Sequence, residues 1–248
     1  MQADKNSWEM TLTLSKMFHT YFFKSISSTN DRAKDYPEGS VIIANEQTKG
    51  KGRFHRKWSS GKGGLYMSIV LSPYDYPGYL TFIAAISVQR SIKKLFGLDT
   101  KLKWPNDVLY DGKKLCGILS ESIFSDNSNK MVVGIGLNVN NKLPFSLKNK
   151  SISLKSIIRK QIGREKIIKC LLKEFENLYS DYKNGKYSKI SSLWKKLSHT
   201  IGRKVKAVTQ QGTFIGKAVD VDKNCSLILK LDNGSKKAVI EGDIFALD

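Results

Sequence analysis

Apolar side chains recur at helical spacing in two stretches of the chain. The first, residues 81–96, ends just before Gly97, and glycine is common at helix C-termini. The second, residues 164–182, has apolar positions at Ile167, Ile168, Leu171, Leu172, Phe175, Leu178, Tyr179 and Tyr182. Both patterns predict amphipathic helices with one face on a core. A further helix is predicted over residues 190–197.

Shorter apolar runs predict strands. They lie at residues 21–23, 41–45, 65–71 and 131–139. Asn30 is predicted to be the N-cap of a short helix that opens with Asp31 and runs toward Tyr36. Residues 48–64 are rich in Gly, Lys and Arg and almost free of aliphatic side chains, so a long loop is expected there.

A hairpin is predicted around Asp111-Gly112, a dipeptide that tolerates the positive φ of a tight turn. Its first strand follows Lys103-Trp104-Pro105-Asn106-Asp107, and its second begins with Lys113 and Lys114. Such a hairpin can place a carboxylate and an ammonium group side by side at one end of a sheet.

The character of the chain changes after Gly202. Short β-rich runs at residues 205–209, 213–221, 227–231 and 237–240 alternate with turn dipeptides. This meander is consistent with a small SH3-like β-barrel. The predicted fold is therefore α+β, with a C-terminal domain at residues 199–248 after a larger domain at residues 1–198.

The formal net charge of +20 is distributed unevenly. Residues 141–206 contain 18 Lys and Arg against 4 Asp and Glu, a net charge of +14. Such a field attracts polyanions, which include nucleic acid, anionic lipid and acidic proteins. The simpler interpretation is a lysine-rich, solvated helix face. No zinc-finger, helix-turn-helix or RNA-binding aromatic pattern supports nucleic-acid recognition.

Cysteine spacing and hydropathy predict a cytoplasmic protein that does not span a membrane. The 3 cysteines, Cys116, Cys170 and Cys225, are far apart and have no metal-site or disulfide pattern. No apolar run is long enough for a transmembrane helix, and the N-terminus lacks the features of a secretory signal.

Two polar clusters precede the predicted hairpin. Ser28-Thr29-Asn30 can hydrogen-bond a compact polar ring, although such residues before a helix usually only cap it. Residues 46–58 alternate Gly with basic side chains, so that backbone N–H groups and guanidinium groups can meet an anion. This segment lacks the Walker A pattern. A solvated basic loop is the alternative, but Trp58 would anchor its end.

Two further clusters lie in and after the hairpin. Asn106, Asp107 and Lys114 bring polar and charged groups to its end, and the alternative is a surface hairpin with scattered charge. Gly134 and Gly136 lie in a predicted strand, where glycine admits close approach of a ligand or of a neighbouring backbone. The third glycine of a dinucleotide-binding motif is missing.

Taken in order, these motifs resemble those of biotin protein ligases across roughly residues 20–248. They are Ser28-Thr29-Asn30, then Gln47 with residues 50–58, then residues 103–107, then residues 114–121, then residues 134–139. Lys51 and His55 depart from the residues common in the family. The segment before the first motif is too short for the winged-helix domain of the repressor-type members. The resemblance therefore implies the monofunctional class, which lacks the N-terminal DNA-binding domain, and operator binding is not expected.

The resemblance implies a fold and a reaction. The fold would be a central mixed sheet flanked by helices, as in class II synthetases and biotin ligases, followed by the SH3-like barrel. The reaction would join biotin and ATP to form biotinyl-5′-AMP, which then acylates a lysine of a biotin carboxyl carrier protein. Mg²⁺ would accompany the ATP phosphates, and its protein ligands are left open.

Residue roles also follow from the resemblance. Biotin would contact Ser28, Thr29, Asn30, Gln47, Gly50, Lys51, Gly52, Arg53, Lys114 and Gly117. ATP would contact Arg53, Arg56, Trp58, Asn106, Lys114, Gly136 and Asn138. Lys114 and Arg53 would neutralise charge in the first step. Asp107 would orient or deprotonate the attacking lysine in the second step.

The partner implied by the resemblance is an acidic carrier domain, which the basic residues 141–206 would steer toward the enzyme. A homodimer is possible. Two alternatives are a lipoate-type acyl-carrier ligase of the same fold and a non-catalytic nucleic-acid-binding protein.

Overall fold

The computed structural model describes residues 10–12, 15–125 and 128–247. Eight strands form a large sheet in the order β1-β2-β3-β4-β8-β7-β6-β5. They are β1 Met10–Leu12, β2 His19–Phe23, β3 Ser40–Ala44, β4 Leu65–Leu71, β5 Lys101–Lys103, β6 Asp107–Tyr110, β7 Lys113–Ser125 and β8 Ser128–Leu137. The β2–β3 pair is parallel and the other pairs are antiparallel, so the sheet is mixed as predicted.

One face of this sheet is covered by the long helices. The helices are α1 Thr29–Ala33, α2 Gly78–Phe96, α3 Leu154–Ile158, α4 Arg164–Lys183 and α5 Tyr187–Leu197. α2 contacts α4, α5 and the sheet, and the rings of Phe82 and Trp194 stack with centroids 4.4 Å apart. α2 ends as predicted at Gly97, whose φ of 71° is left-handed. Burial of the apolar stripes fixes these helices on the sheet.

The opposite face of the sheet is only partly covered. α1 packs there over a small apolar cluster that includes Phe23, Ile42, Val70 and Val132. Beyond this cluster the strands carry glycine in place of large side chains, and Gly117 on β7 pairs with Gly136 on β8. The glycines leave room above the sheet beside α1.

The C-terminal residues form a separate antiparallel sheet. Its strands are β9 Lys204–Thr209, β10 Gly212–Val221, β11 Leu227–Leu231, β12 Lys236–Val239 and β13 Asp243–Ala246, in the order β12-β11-β10-β9-β13. The small C-terminal β unit is therefore confirmed, whereas β13 was not predicted. Trp104 joins the two sheets, because its Nε1 donates to the carbonyl of Cys225 at 2.9 Å. The residue boundary between two domains stays a prediction.

Several element boundaries differ from the prediction. The N-cap of α1 is Ser28, whose Oγ accepts from the backbone N–H of Asp31, and Asn30 lies inside the helix. The helix ends at Ala33, before Tyr36. α2 and α5 begin three residues earlier than predicted, and β8 begins at Ser128. In the ranges that the structure describes, no helix has the length and apolar character needed to span a membrane.

Candidate active site

A cavity of about 350 Å³ lies above the glycine-containing part of the large sheet, bordered by residues 48–64 and by β13. The predicted site residues line it, with one exception. They are Ser28, Thr29, Asn30, Gln47, Lys51, Gly52, Arg53, Arg56, Trp58, Asn106, Asp107, Lys114, Gly117, Gly136 and Asn138. The exception is Gly50. A Cβ at this position would lie 2.2 Å from Ser60 Oγ, so Gly50 lets the loop fold back on itself.

The floor of the cavity depends on small residues under Trp58. A Cβ at Gly136 would lie 2.5 Å from the indole Nε1, and one at Gly117 would lie 3.0 Å from the same ring. The indole therefore requires glycine at Gly136 and would have to shift slightly to admit a larger residue at Gly117. The buried Nε1 has no hydrogen-bond partner among the described residues, so it can donate to a ligand.

One end of the cavity is lined by neutral polar groups. α1 presents the backbone N–H and the Oγ1 of Thr29, which lie 2.7 and 3.0 Å from Gln47 Oε1. Gln47 Nε2 donates to Ser60 Oγ at 2.8 Å. These contacts orient the Gln47 side chain and tie α1 to the end of the basic loop. This end can recognise a small polar ring by hydrogen bonds.

Asn30 is buried and its side chain is held by protein groups. Its Nδ2 donates to the carbonyl of Leu119 and to the carboxylate of Glu121, and its Oδ1 lies 2.7 Å from Ser68 Oγ. A Cβ at Gly134 would lie 2.0 Å from Oδ1, so glycine is required beneath it. The structure thus places Asn30 at the site and commits its amide group to positioning.

The other end of the cavity is basic. Arg53, Arg56, Lys57, Lys103 and Lys114 line the cavity, against the carboxylates of Asp107 and Asp243. Lys51 also lines the cavity, but its Nζ lies 2.6 Å from Asp31 Oδ1 of α1. Both carboxylates are ion-paired, Asp107 with Lys114 and Asp243 with Arg56. The excess positive charge suits a phosphate-bearing ligand.

A β-bulge aims Lys114 into the cavity. The β6–β7 pairing has Asp107 opposite Gly117 and Leu109 opposite Lys114, with a register shift between them. Lys114 and Gly117 are an odd number of residues apart, and without the bulge they would face opposite sides of the sheet. The turn is the predicted one, with φ of 48° at Asp111 and 69° at Gly112. Lys114 Nζ lies 2.7 Å from Asp107 Oδ1 and 5.2 Å from the centroid of the Trp58 ring.

The loop of residues 48–64, the basic loop, is held by the C-terminal sheet. Arg53 donates to the carbonyl of Gly242 at 3.2 Å, and Arg56 makes two hydrogen bonds to the carboxylate of Asp243. Hydrogen bonding from Arg56 holds the pKa of Asp243 below its usual value of 3.8. His55, a departure from the family pattern, has a φ of 57° in the left-handed region that favours glycine.

Sequence reasoning missed several residues that line the cavity. They are Lys57, Ser59, Tyr66, Lys103, Leu143, Leu147, Ser151, Gly242, Asp243, Ile244 and Phe245. Lys103 belongs to a motif that was noted without being assigned a role. Gly242 and Asp243 carry no signal in the sequence, because their place depends on how the second sheet packs against the first.

The described residues contain no group of three His, Cys, Asp or Glu side chains that could hold a metal ion. Cys116 is fully buried beneath the site, and burial raises the pKa of its thiol. A role as nucleophile is therefore not supported, and Cys116 acts as a small buried hydrophobe.

Comparison with known proteins gives matches over both parts of the chain. A family model described as "Biotin/lipoate A/B protein ligase family" matches residues 22–138. Another, described as "Biotin protein ligase C terminal domain", matches residues 200–247.

Individual relatives are similar over most of their length. The chain is 37% identical to the bifunctional ligase/repressor BirA of Bacillus subtilis over 233 residues, which cover 88% of this chain and 71% of that protein. It is 32% identical to the biotin–[acetyl-CoA-carboxylase] ligase of Mycobacterium tuberculosis, over 85% of this chain and 80% of that protein. The structure of a biotin protein ligase from Aquifex aeolicus in complex with biotin and ATP superposes with a TM-score of 0.82 at 29% identity, covering 92% and 97% of the two chains.

Proposed function

The chain belongs to the biotin protein ligase family, and on that premise we propose how its cavity activates biotin with ATP and transfers it to a carrier protein. The enzyme is an ATP-dependent ligase whose substrates are biotin and ATP. The observation that carries the proposal is the polarity of the cavity. A neutral hydrogen-bonding end at Thr29 and Gln47 suits the ureido ring of biotin, and a basic end at Arg53 and Lys114 suits phosphate.

In the first step, a carboxylate oxygen of biotin attacks the α-phosphorus of ATP. The bond from that phosphorus to the oxygen bridging the α- and β-phosphates breaks, and pyrophosphate leaves with the electron pair. Negative charge collects on the phosphoryl oxygens between the reactants. Lys114 and Arg53 are proposed to stabilise this charge, since both line the basic end.

In the second step, the amine of a carrier lysine attacks the carbonyl carbon of biotinyl-5′-AMP. A C–N bond forms, the C–O bond to AMP breaks, and the nitrogen loses a proton. Asp107 is proposed to accept that proton or to orient the amine. Its carboxylate lies at the cavity wall, 2.7 Å from the Lys114 ammonium.

Adenylate recognition is proposed for the residues between the two ends. Trp58 offers its ring and its indole N–H, and Gly136 leaves room beside it. Asn106 and Asn138 line the same region. Gly50 is proposed to act on loop shape, because it lies against Ser60 rather than in the cavity wall.

Mg²⁺ is proposed to enter as part of the Mg–ATP substrate. The cavity carboxylates, Asp107 and Asp243, are both paired with cations, and no cluster of metal-binding side chains occurs in the described ranges. Phosphate oxygens and water commonly supply most Mg²⁺ ligands in such sites.

The carrier partner is proposed to be acidic. Residues 141–206 carry a net charge of +14, which would raise the rate of encounter more than the affinity. A kcat/KM for the carrier that does not change with ionic strength would exclude this steering.

A cytoplasmic location is also proposed, because the free cysteines fit a reducing cytoplasm.

Transfer of biotin can be tested directly. The enzyme is incubated with biotin, Mg–ATP and a purified biotin carboxyl carrier domain, and the intact mass of that domain is measured. Addition of one biotinyl group is expected, and its loss when the acceptor lysine is replaced by arginine is the control. A lipoate-type ligase would instead add lipoate in a parallel incubation, and a nucleic-acid-binding protein would add neither group.

A further inference from the structure

Four side-chain oxygens lie in short contact along the neutral end of the cavity. In order they are Asn30 Oδ1, Ser68 Oγ, Thr29 Oγ1 and Gln47 Oε1, and this row is the oxygen chain. Its three successive O···O distances are 2.7, 2.7 and 3.0 Å. Ser68 is fully buried, and Thr29 and Asn30 are each 4% exposed. At such distances each contact needs a hydrogen between its two oxygens.

The Gln47 end of the oxygen chain can only accept. Gln47 Oε1 accepts the backbone N–H of Thr29 at 2.7 Å, and a backbone amide nitrogen can only donate. The other amide atom, Nε2, donates to Ser60 Oγ on the opposite side. The orientation of the Gln47 amide is therefore determined by its partners, and it adds no hydrogen to the chain.

The Asn30 end is also restricted to accepting. Asn30 Nδ2 donates to the carbonyl of Leu119 at 3.1 Å and to Glu121 Oε2 at 2.6 Å. Both N–H hydrogens are used by these acceptors, so Oδ1 faces Ser68. Glu121 lies outside the cavity lining but fixes the direction in which the Asn30 amide points.

The oxygen chain has three O···O contacts but only two hydrogens that can lie between its oxygens. Only the hydroxyl groups of Ser68 and Thr29 can donate within the oxygen chain, and there are three contacts to satisfy. If Ser68 donates to Asn30, Thr29 can donate to Ser68 or to Gln47 but not to both. One pair of oxygens, buried or half-buried, is left in contact without a hydrogen, which is unfavourable.

We propose that Ser68 and Glu121 are positioning residues for biotin, an inference that rests on the proposed function. They leave the oxygen chain one hydrogen short, and the chain therefore selects a ring N–H of biotin. A ligand N–H shared between Gln47 Oε1 and Thr29 Oγ1 in a three-centre hydrogen bond supplies the missing hydrogen of that contact, because Thr29 can then donate to Ser68. Gln47 and Thr29 line the cavity and can be reached by the ligand. A ring oxygen in place of that N–H would add lone pairs to a row that already lacks a hydrogen.

The test uses two cyclic carbamate analogues of biotin, in each of which one ring N–H is replaced by oxygen with little change in shape. Biotin-dependent pyrophosphate exchange gives kcat/KM for biotin and for each analogue, and the measured quantity is their ratio. In the wild-type enzyme, kcat/KM for biotin is expected to be roughly a hundredfold higher than kcat/KM for the analogue altered at the position facing Gln47. The ratio does not depend on the fraction of enzyme that is folded.

Two variants remove the hydrogen deficit by different routes. Ser68→Ala leaves one contact and the one hydrogen of Thr29, which is free to turn toward a ligand oxygen. Asn30→Ala leaves two contacts and two hydrogens. Both are expected to narrow the ratio to roughly tenfold. Ser40→Ala is the matched control, since Ser40 is also a buried strand serine, 1% exposed, and it should keep the wild-type ratio.

Glu121 is tested in the same assay. Glu121→Ala removes one of the two acceptors that hold the Asn30 amide, so the ratio of kcat/KM for biotin to that for the analogue should decrease. Glu121→Gln keeps an oxygen for Asn30 and should preserve the ratio. An unchanged ratio in Glu121→Ala would remove Glu121 from this role. Wild-type ratios in both Ser68→Ala and Asn30→Ala would overturn the inference, whereas absence of biotin-dependent exchange in the wild-type enzyme would instead refute the proposed function.

Discussion

Lys114 and Asp107 form an ion pair at the cavity wall, with Nζ 2.7 Å from Oδ1. The β-bulge between their strands turns both side chains to the same face of the sheet. The pair thus joins a cation suited to the first step of the reaction with a carboxylate suited to the second. Substitution of each partner should affect a different step.

Lys114→Ala is expected to slow formation of biotinyl-5′-AMP by about a hundredfold, which corresponds to about 3 kcal/mol of lost charge stabilisation. The change is measured as the rate of biotin-dependent pyrophosphate exchange. Lys113→Ala is the matched control, because Lys113 is the adjacent lysine on the same strand and its pairing partner is Tyr110. Near wild-type exchange in Lys114→Ala would remove Lys114 from the catalytic role.

Asp107→Asn should slow transfer to the carrier more than it slows adenylate formation. Asparagine preserves the shape of the side chain but cannot accept a proton from the attacking amine. Transfer is followed in a single turnover from preformed biotinyl-5′-AMP and is expected to fall by about a hundredfold, within the range for general-base catalysis. Equal losses in transfer and in pyrophosphate exchange would argue against a role limited to the second step.

Arg53→Gly should release the activated intermediate rather than abolish its synthesis. The change deletes the proposed charge-assisted hydrogen bond from Arg53 to the adenylate phosphate, worth roughly 1.5–3 kcal/mol. It also adds backbone freedom to residues 48–64. Free biotinyl-5′-AMP would then acylate bystander lysines. Streptavidin blotting of a mixture with an unrelated lysine-rich protein is the measurement. If only the carrier is labelled, Arg53 does not retain the intermediate.

Asp243→Asn should loosen the basic loop, because the asparagine amide cannot pair with the charge of Arg56. Partly exposed ion pairs are worth roughly 0.2–1 kcal/mol, so amide exchange in residues 48–64 should accelerate by about 1.4- to fivefold at neutral pH. Asp232→Asn is the control, since its pair with Lys204 lies elsewhere in the C-terminal sheet. Unchanged exchange in residues 48–64 would show that the Asp243 contact does not hold the loop.

The same contact has a defined pH dependence. The pKa of Asp243 is lowered in the folded protein, chiefly by the hydrogen bond from Arg56. Its stabilising effect is therefore fully present above the usual pKa of 3.8 and is lost as the pH falls through the lower folded-state value. Between pH 5 and pH 8, titration of Asp243 should therefore make no contribution to the pH dependence of amide exchange in residues 48–64 of the wild-type protein.

Local signals were sufficient to predict the hairpin and the long helices. Asp111-Gly112 specifies a tight turn, and the turn brings Asp107 near Lys114 without any long-range information. The apolar stripe of α4 likewise needed only its own periodicity. The bulge that aims Lys114 was not predicted, because it depends on pairing across β6 and β7.

Contacts between distant segments account for what sequence reasoning missed. Ser28 and Asn30 are both good N-cap residues, and Ser28 is the cap because the Asn30 amide is bound to Leu119 and Glu121, far along the chain. Asp243 reaches Arg56 only because β13 returns to pair with β9. No local pattern reports either contact.

The central claim is that this cavity activates biotin as its adenylate, and the most direct test is exchange of labelled pyrophosphate into ATP without any carrier protein. Exchange that depends on biotin and Mg²⁺ is predicted, with wild-type rates in Lys113→Ala and strongly reduced rates in Lys114→Ala. Exchange that proceeds without biotin, or that is supported by lipoate and not by biotin, would contradict the account.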